Sequence, residues 1–319
     1  VTKRLRQLGG TIVALASSLF LIWAVYRSLS GMPSGLWHPG FIALLAGLGI
    51  GYLGINQVLG LAWFVLIREL EPARISWSAA LAIFNRTQFY KYLPGNVFHM
   101  LGRFAMANEA GVPARSLALA QVGEIATQLV VAALIAILFG GRMLLPVLED
   151  YSVVLARLIV PGAVLAAIGL IVAVLWLRTH RQLAVRMLRA CSVALPVYAA
   201  FLVLSGGCAL VIMHWLDPAP VIGNAELIGL FAASWLIGFV VPGAPGGLGA
   251  REALVVVGMT LLGAGLPLAT ATALTHRIVT IMGDALAAGV GWLMLRKQVA
   301  PSVMSGATVA QALGEQERR

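Results

Sequence analysis

Hydrophobic positions fall along this chain in long blocks, not in the two-residue alternation of strands. Six blocks, about 8–29, 39–67, 115–140, 152–177, 191–216 and 268–295, are each apolar over more than twenty positions. A helix needs about 20 such residues to cross the hydrocarbon core of a bilayer. Two further stretches, 76–109 and 226–264, are apolar but interrupted by charge, Pro and Gly. The pattern predicts an all-α integral membrane protein with six spanning helices and two broken ones.

The polar segments between blocks orient the chain. "VTKRLR" (Lys3, Arg4, Arg6), "RELEPAR" (Arg68, Arg74), "RTHRQLAVRMLR" (Arg178, Arg181, Arg186, Arg189) and "RK" (Arg296, Lys297) are basic. "SGMPSGLWHPG", "GRMLLPVLEDYS" and "DPAPVIGNAE" carry little positive charge. Lys and Arg gather in cytoplasmic loops, so both termini and the loops at 68–76 and 178–190 are expected inside. The broken stretch 76–109 then has both ends inside, and 226–264 has both ends outside. Each is expected to be a re-entrant helical hairpin, one from each face. Irregular backbone at membrane depth is tolerated only inside protein or beside water.

Composition agrees with this class. The 319 residues are 60% hydrophobic and 11% charged, with a mean hydropathy of +0.94, where a soluble domain averages about 25% charged residues. A net charge of +10 and a pI near 10.4 would point to nucleic acid in a soluble protein. Here the cytoplasmic loops account for most of it, and no nucleic-acid partner is expected. The first block is too long for the apolar core of a signal peptide and reads as an uncleaved helix. Residues 1–297 form one transmembrane domain, and the polar, small-residue-rich stretch 298–319 reads as a flexible cytoplasmic tail. Cys191 and Cys208 fall on one helix, about 25 Å apart at 1.5 Å per residue, too far to bridge. No metal-ligand spacing or nucleotide fingerprint occurs, so no cofactor is expected.

The two broken stretches share a pattern. "YLPGNVFHMLGR" (92–103) and "VVPGAPGGLGAR" (240–251) each run Pro-Gly, Leu-Gly, Arg, with Pro94 and Arg103 spaced like Pro242 and Arg251. "AGVP" (110–113) and "AGLP" (264–267) then lead into a spanning block. Similar hairpins from opposite faces make an inverted repeat, the sequence pointer to a transporter with a midplane site. Arg86, Lys91, Arg103, Arg251 and Arg277 stand at depth with Glu109, Glu124, Glu252 and Asp284, each costing about 2.5–3.5 kcal/mol to insert alone. Neutralising pairs are expected between Arg251 and Glu252, Arg103 and Glu109, and Arg277 and Asp284. The excess of cations, with N–H groups opened at Gly95 and Gly243, describes an anion site. His276 and Asp284 lie two turns apart on one face, where a proton relay or a hydrogen-bonded structural His would both fit. No Ser-His-Asp order or nucleophile elbow occurs, and no enzymatic activity is expected.

"KYLPGNVFHMLGR" (91–103), Gly123-Glu124 and "PGAPGGLGAREA" (242–253) resemble the transmembrane region of lysylphosphatidylglycerol synthases, the flippase-like domain family. The likeness spans about residues 5–297. It implies a lipid flippase-like fold in the bacterial inner membrane. In the fused relatives this domain moves aminoacylated phosphatidylglycerol, and standalone relatives accompany glycolipid, polyprenyl-phosphate or hopanoid pathways. The soluble synthase domain of the fused enzymes has no counterpart in these residues, so synthase activity is not expected. The expected function is translocation of an amphiphilic lipid with a phosphate-bearing head group. The rivals are a secondary transporter for a soluble anion, a membrane enzyme acting on lipid head groups through Glu124 or Glu252, and a non-catalytic partner of an envelope-biosynthesis enzyme, and a homo-oligomer is open. The candidate substrate-binding residues are Arg103, Arg251, Glu252, Gly95, Asn96, Gly246, Gly247, Gly249, Glu124 and Arg277. Asp284, His276 and Lys91 are candidates for coupling.

Overall fold

The computed structural model describes residues 26, 30, 36–72, 74–93, 97–150, 181–240 and 245–316. Among them there are helices and no strands. The helices are α1 (Pro39–Leu70), α2 (Trp77–Thr87), α3 (Phe98–Glu109), α4 (Ala114–Asp150), α5 (Arg181–Leu216), α6 (Asn224–Val240), α7 (Ala250–Leu261) and α8 (Leu266–Gln316), with 3₁₀ turns at Gln88–Tyr92 and Pro245–Gly247. Four of the six expected spans are present as helices long and apolar enough to cross a membrane, within α1, α4, α5 and α8. The blocks 8–29 and 152–177 lie outside the described residues, apart from Tyr26. Helix α8 runs on to Gln316, through the stretch whose composition reads as a tail.

Local sequence accounts for the helix boundaries. Pro39 opens α1, where its missing N–H costs nothing. Ser76 caps α2 by accepting from the Ala79 N–H at 3.2 Å. Gly111 (φ 95°) and Gly263 (φ 94°) close the turns after α3 and α7, a left-handed conformation that glycine adopts without strain. Gly111 is the glycine of the "AGVP" segment, whereas Gly263 stands one residue before "AGLP", whose own glycine is Gly265.

Side-chain contacts give the helix directions. His38 stacks on Trp215 at 5.2 Å, the Tyr52 hydroxyl lies 3.4 Å from that of Ser205, and Arg189 pairs with Glu69 at 3.2 Å. So α1 and α5 run antiparallel. Ser116 donates to Glu71 at 2.6 Å, and Gly123 faces Leu66 and Cys191, which sets α4 antiparallel to α1 and parallel to α5. Asn56 donates to Asp284 at 2.9 Å, while Gly60 abuts Phe84 and Gly291 abuts Arg86, so α8 runs with α1. The basic ends of α1, α4, α5 and the span of α8 therefore gather at one end of the molecule.

These directions fix the broken segments. The α2–α3 pair leaves α1 and reaches α4 at that basic end. The α6–α7 pair leaves α5 and reaches α8 at the opposite end. In each pair the two halves pack against each other. Pairings in the first half recur in the second: α2 on α8 matches α6 on α4, and α1 on α8 matches α5 on α4. The closest approaches use glycine. A Cβ on Gly229 would meet the Phe139 carbonyl carbon at 2.7 Å, and one on Gly291 would meet the Ala82 oxygen at 2.9 Å. Between spans in lipid, such backbone contact and interhelical hydrogen bonds replace the hydrophobic effect as the source of association. Gln57 of α1 and Asn85 of α2 exchange hydrogen bonds of 3.2 and 2.9 Å in this way.

Candidate functional site

The irregular turns of the two broken segments meet at the centre. A Cβ on Gly246 would touch the Tyr92 ring at 3.4 Å, and Gly246 holds a positive φ of 57°. Around this junction lies a cavity of about 80 Å³, room for several waters. A second cavity of about 40 Å³ abuts it, and the two share Tyr52, Trp235, Arg251, Arg277 and Thr280.

Three carboxylates and four cations converge here. Glu124 on α4 accepts from Arg103 at 3.0 Å, and Gln121 and Gln128 also donate to it, at 3.0 and 3.3 Å. Both partners of that pair are about 2% exposed. The Arg103 guanidinium lies against the Trp63 and Phe84 rings. Asp284 on α8 accepts from Asn56 and from the Tyr92 hydroxyl and pairs with Lys91 at 2.5 Å. This carboxylate joins α1, α8 and the first turn. Glu252 pairs with Arg277 at 3.4 Å and accepts from the Gly249 N–H at 2.5 Å. Arg277 also donates to the Gly246 carbonyl at 2.9 Å and covers the Tyr92 ring. It thus clamps both turns.

The pairing differs from the one expected from sequence. Arg103 takes Glu124 instead of Glu109, and Arg277 takes Glu252 instead of Asp284. The reason is helix geometry: Glu109 ends α3 on an exposed turn, while Glu124 points inward from the adjoining α4. Asp284 is two turns from Arg277 along α8 and meets Lys91 across the junction.

Arg251 is left over. Among the described residues it has no carboxylate at ion-pair distance, and its Nε has no hydrogen-bond partner. Its guanidinium lies 5.7 Å from the centre of the Trp235 ring. Two glycines make its slot. A Cβ on Gly247 would stand 2.5 Å from the Arg251 Nε, and one on Gly238 would run into the same side chain. Further polar atoms along the cavity are unpartnered: the donors Arg103 Nε and Arg277 Nη2, and the ring nitrogen His99 Nδ1.

The remaining candidates divide. Gly246 lines the larger cavity, and Glu252 and His276 line the smaller. His276 lies 3.1 Å from the Ser205 carbonyl and packs edge-on against Phe231. Gly247 shapes the slot, whereas Gly249 is exposed and serves as the cap of α7. The Gly249 N–H is taken by the Glu252 carboxylate. Gly95, Asn96 and Gly243 lie outside the described residues.

Sequence reading missed Tyr92, Trp235, Asn56 and Gly238. Asn56 was the legible one, a lone amide inside an apolar span. Trp235 sits mid-block, away from the span ends where belt tryptophans collect, and Gly238 is one glycine among 35. Among the described residues no group of three His, Cys, Asp or Glu could hold a metal ion. No family model, curated protein or solved structure matches the chain, and the likeness to flippase-like domains rests on its motif residues.

Proposed function

We propose that this protein translocates an amphiphilic lipid with a phosphate-bearing head group across the bacterial inner membrane, both termini facing the cytoplasm. The observation that carries this reading is Arg251, a cation without a counter-charge in a cavity otherwise neutralised pair by pair. An uncompensated guanidinium beside unpartnered N–H donors is complementary to one added anion. A phosphate monoanion would balance the site, accepting from Arg251 and from the free Nη2 of Arg277.

The surrounding architecture supports the reading. Two broken helices that each return to the end they left are re-entrant hairpins on this proposal. Their antiparallel flanking spans α1 and α5 and the recurring pairings are what an inverted repeat predicts. The head group would sit where the hairpin turns meet, while the tails stay in lipid. Because Arg277 clamps both turns through Gly246 and Tyr92, an anion drawing on Arg277 would loosen their contact and allow the cavity to open to either side. The carboxylates act here by pairing and positioning; the proposal assigns none of them a catalytic step.

The test uses the full chain in liposomes containing fluorescent phosphatidylglycerol, with movement read by quenching of the outer leaflet. Arg251→Ala should slow translocation by about tenfold or more, the cost of one charged hydrogen bond of ~1.5–3 kcal/mol. Unchanged movement would sink the proposal. The small volume favours one second reading, a transporter for a compact soluble anion. Uptake of radiolabelled phosphate into the same liposomes, without lipid movement, would select it.

A further inference from the structure

A third cavity, separate from the two central ones, lies at the basic end of the molecule. It is about 600 Å³, formed where the end of α1 meets the beginnings of α4 and α5 as described. Its wall carries Arg115, Arg181 and Arg186, all exposed and, among the described residues, without an ion-pair partner. Glu71 lines the same cavity and accepts from the uncharged Ser116 hydroxyl at 2.6 Å, while Glu69 nearby pairs with Arg189 at 3.2 Å. Leu70, Leu119 and Leu183 line the same space and are more buried than the arginines. The cavity is therefore cationic on its outer side and apolar on its inner side.

We infer that this cavity is a binding site for the head group of an anionic phospholipid in the leaflet that meets the basic end. Three guanidiniums against the single carboxylate of Glu71 leave a surplus of positive charge that calls for a phosphate. The leucine wall calls for something a free phosphate lacks, the glycerol and first methylenes of the acyl chains. The place fits as well. These are the ends of helices long enough to span, so the cavity stands at head-group level, where basic pockets between helices recognise anionic lipids. It shares no residue with the central cavity, and the inference does not depend on the transport reading.

Native mass spectrometry of the full-length protein, reconstituted in phosphatidylcholine nanodiscs with graded phosphatidylglycerol and then released, tests this. The wild type should retain phosphatidylglycerol. The Arg115→Gln/Arg181→Gln/Arg186→Gln variant should bind it about 100-fold more weakly, at roughly fivefold for each charge near the surface. Each single substitution, on an exposed position that leaves the fold intact, should give a graded part of that loss. The Arg→Lys triple variant should retain most of the binding, and Arg251→Gln should keep this lipid. Equal retention by the wild type and the triple Gln variant would overturn the inference. Displacement of the lipid by excess inorganic phosphate, with phosphate bound in its place, would overturn it too and assign the cavity to a soluble anion.

Discussion

Arg103 and Arg251 occupy matching positions in two similar sequence motifs, yet their surroundings make them different residues. Arg103 is held by Glu124 and enclosed by aromatic rings, and removing either partner of such a buried pair costs about 3–5 kcal/mol. A change there would be read first as loss of fold. Arg251 has no such pair, so a change there reports on the site itself. Its slot gives a test that leaves the arginine in place. Gly247→Ala adds a methyl against the Arg251 side chain, at a φ of 73°, where Ala pays about 1–2 kcal/mol. The expected outcome is phosphatidylglycerol translocation as slow as in Arg251→Ala, with melting lowered by only a few degrees. Translocation at the wild-type rate would show that Arg251 can shift without consequence.

At the scale of elements, glycine decides which helices lie together. Gly229 presses α6 on the backbone of α4, and Gly291 presses α8 on α2, whereas Gly47 and Gly51 of α1 have no neighbour where a Cβ would stand. Gly229→Leu and Gly291→Leu should each destabilise the purified protein by about 3 kcal/mol or more, as overpacking a close contact does. Gly47→Ala and Gly51→Ala should be neutral or raise stability by up to about 1 kcal/mol through helix propensity. Thermal melting in detergent measures both groups. Equal effects in the two groups would mean that the close contacts carry no special weight.

For the whole molecule the decisive property is sidedness. With Cys191 and Cys208 replaced by Ala, single cysteines at Arg74 and Pro113 bracket the α2–α3 pair, and cysteines at Val221 and Gly265 bracket the α6–α7 pair. In sealed vesicles a membrane-impermeant maleimide should reach the first two from one side and the last two from the other. Labelling of Val221 and Gly265 from opposite sides would make α6–α7 a crossing segment and remove the inverted arrangement.

Much of this was legible in the linear order of residues, for a physical reason. A bilayer imposes length and apolarity on whatever crosses it, so the spans α1, α4, α5 and α8 stand out as blocks, and the gathering of their basic ends follows from the loops between them. Interruptions at Pro and Gly marked the two broken segments, because such residues free the backbone from the helical ladder. The charges at depth were visible one by one. Their partners were not, since a carboxylate finds its cation through rotation about helix axes and packing between elements far apart in the chain. Lys91 and Asp284 are brought together only when the turn after α2 lies against α8. The same packing leaves Arg251 beside Trp235 between two glycines, and it is this surplus, invisible in a list of charges, that turns a set of ion pairs into a candidate anion site.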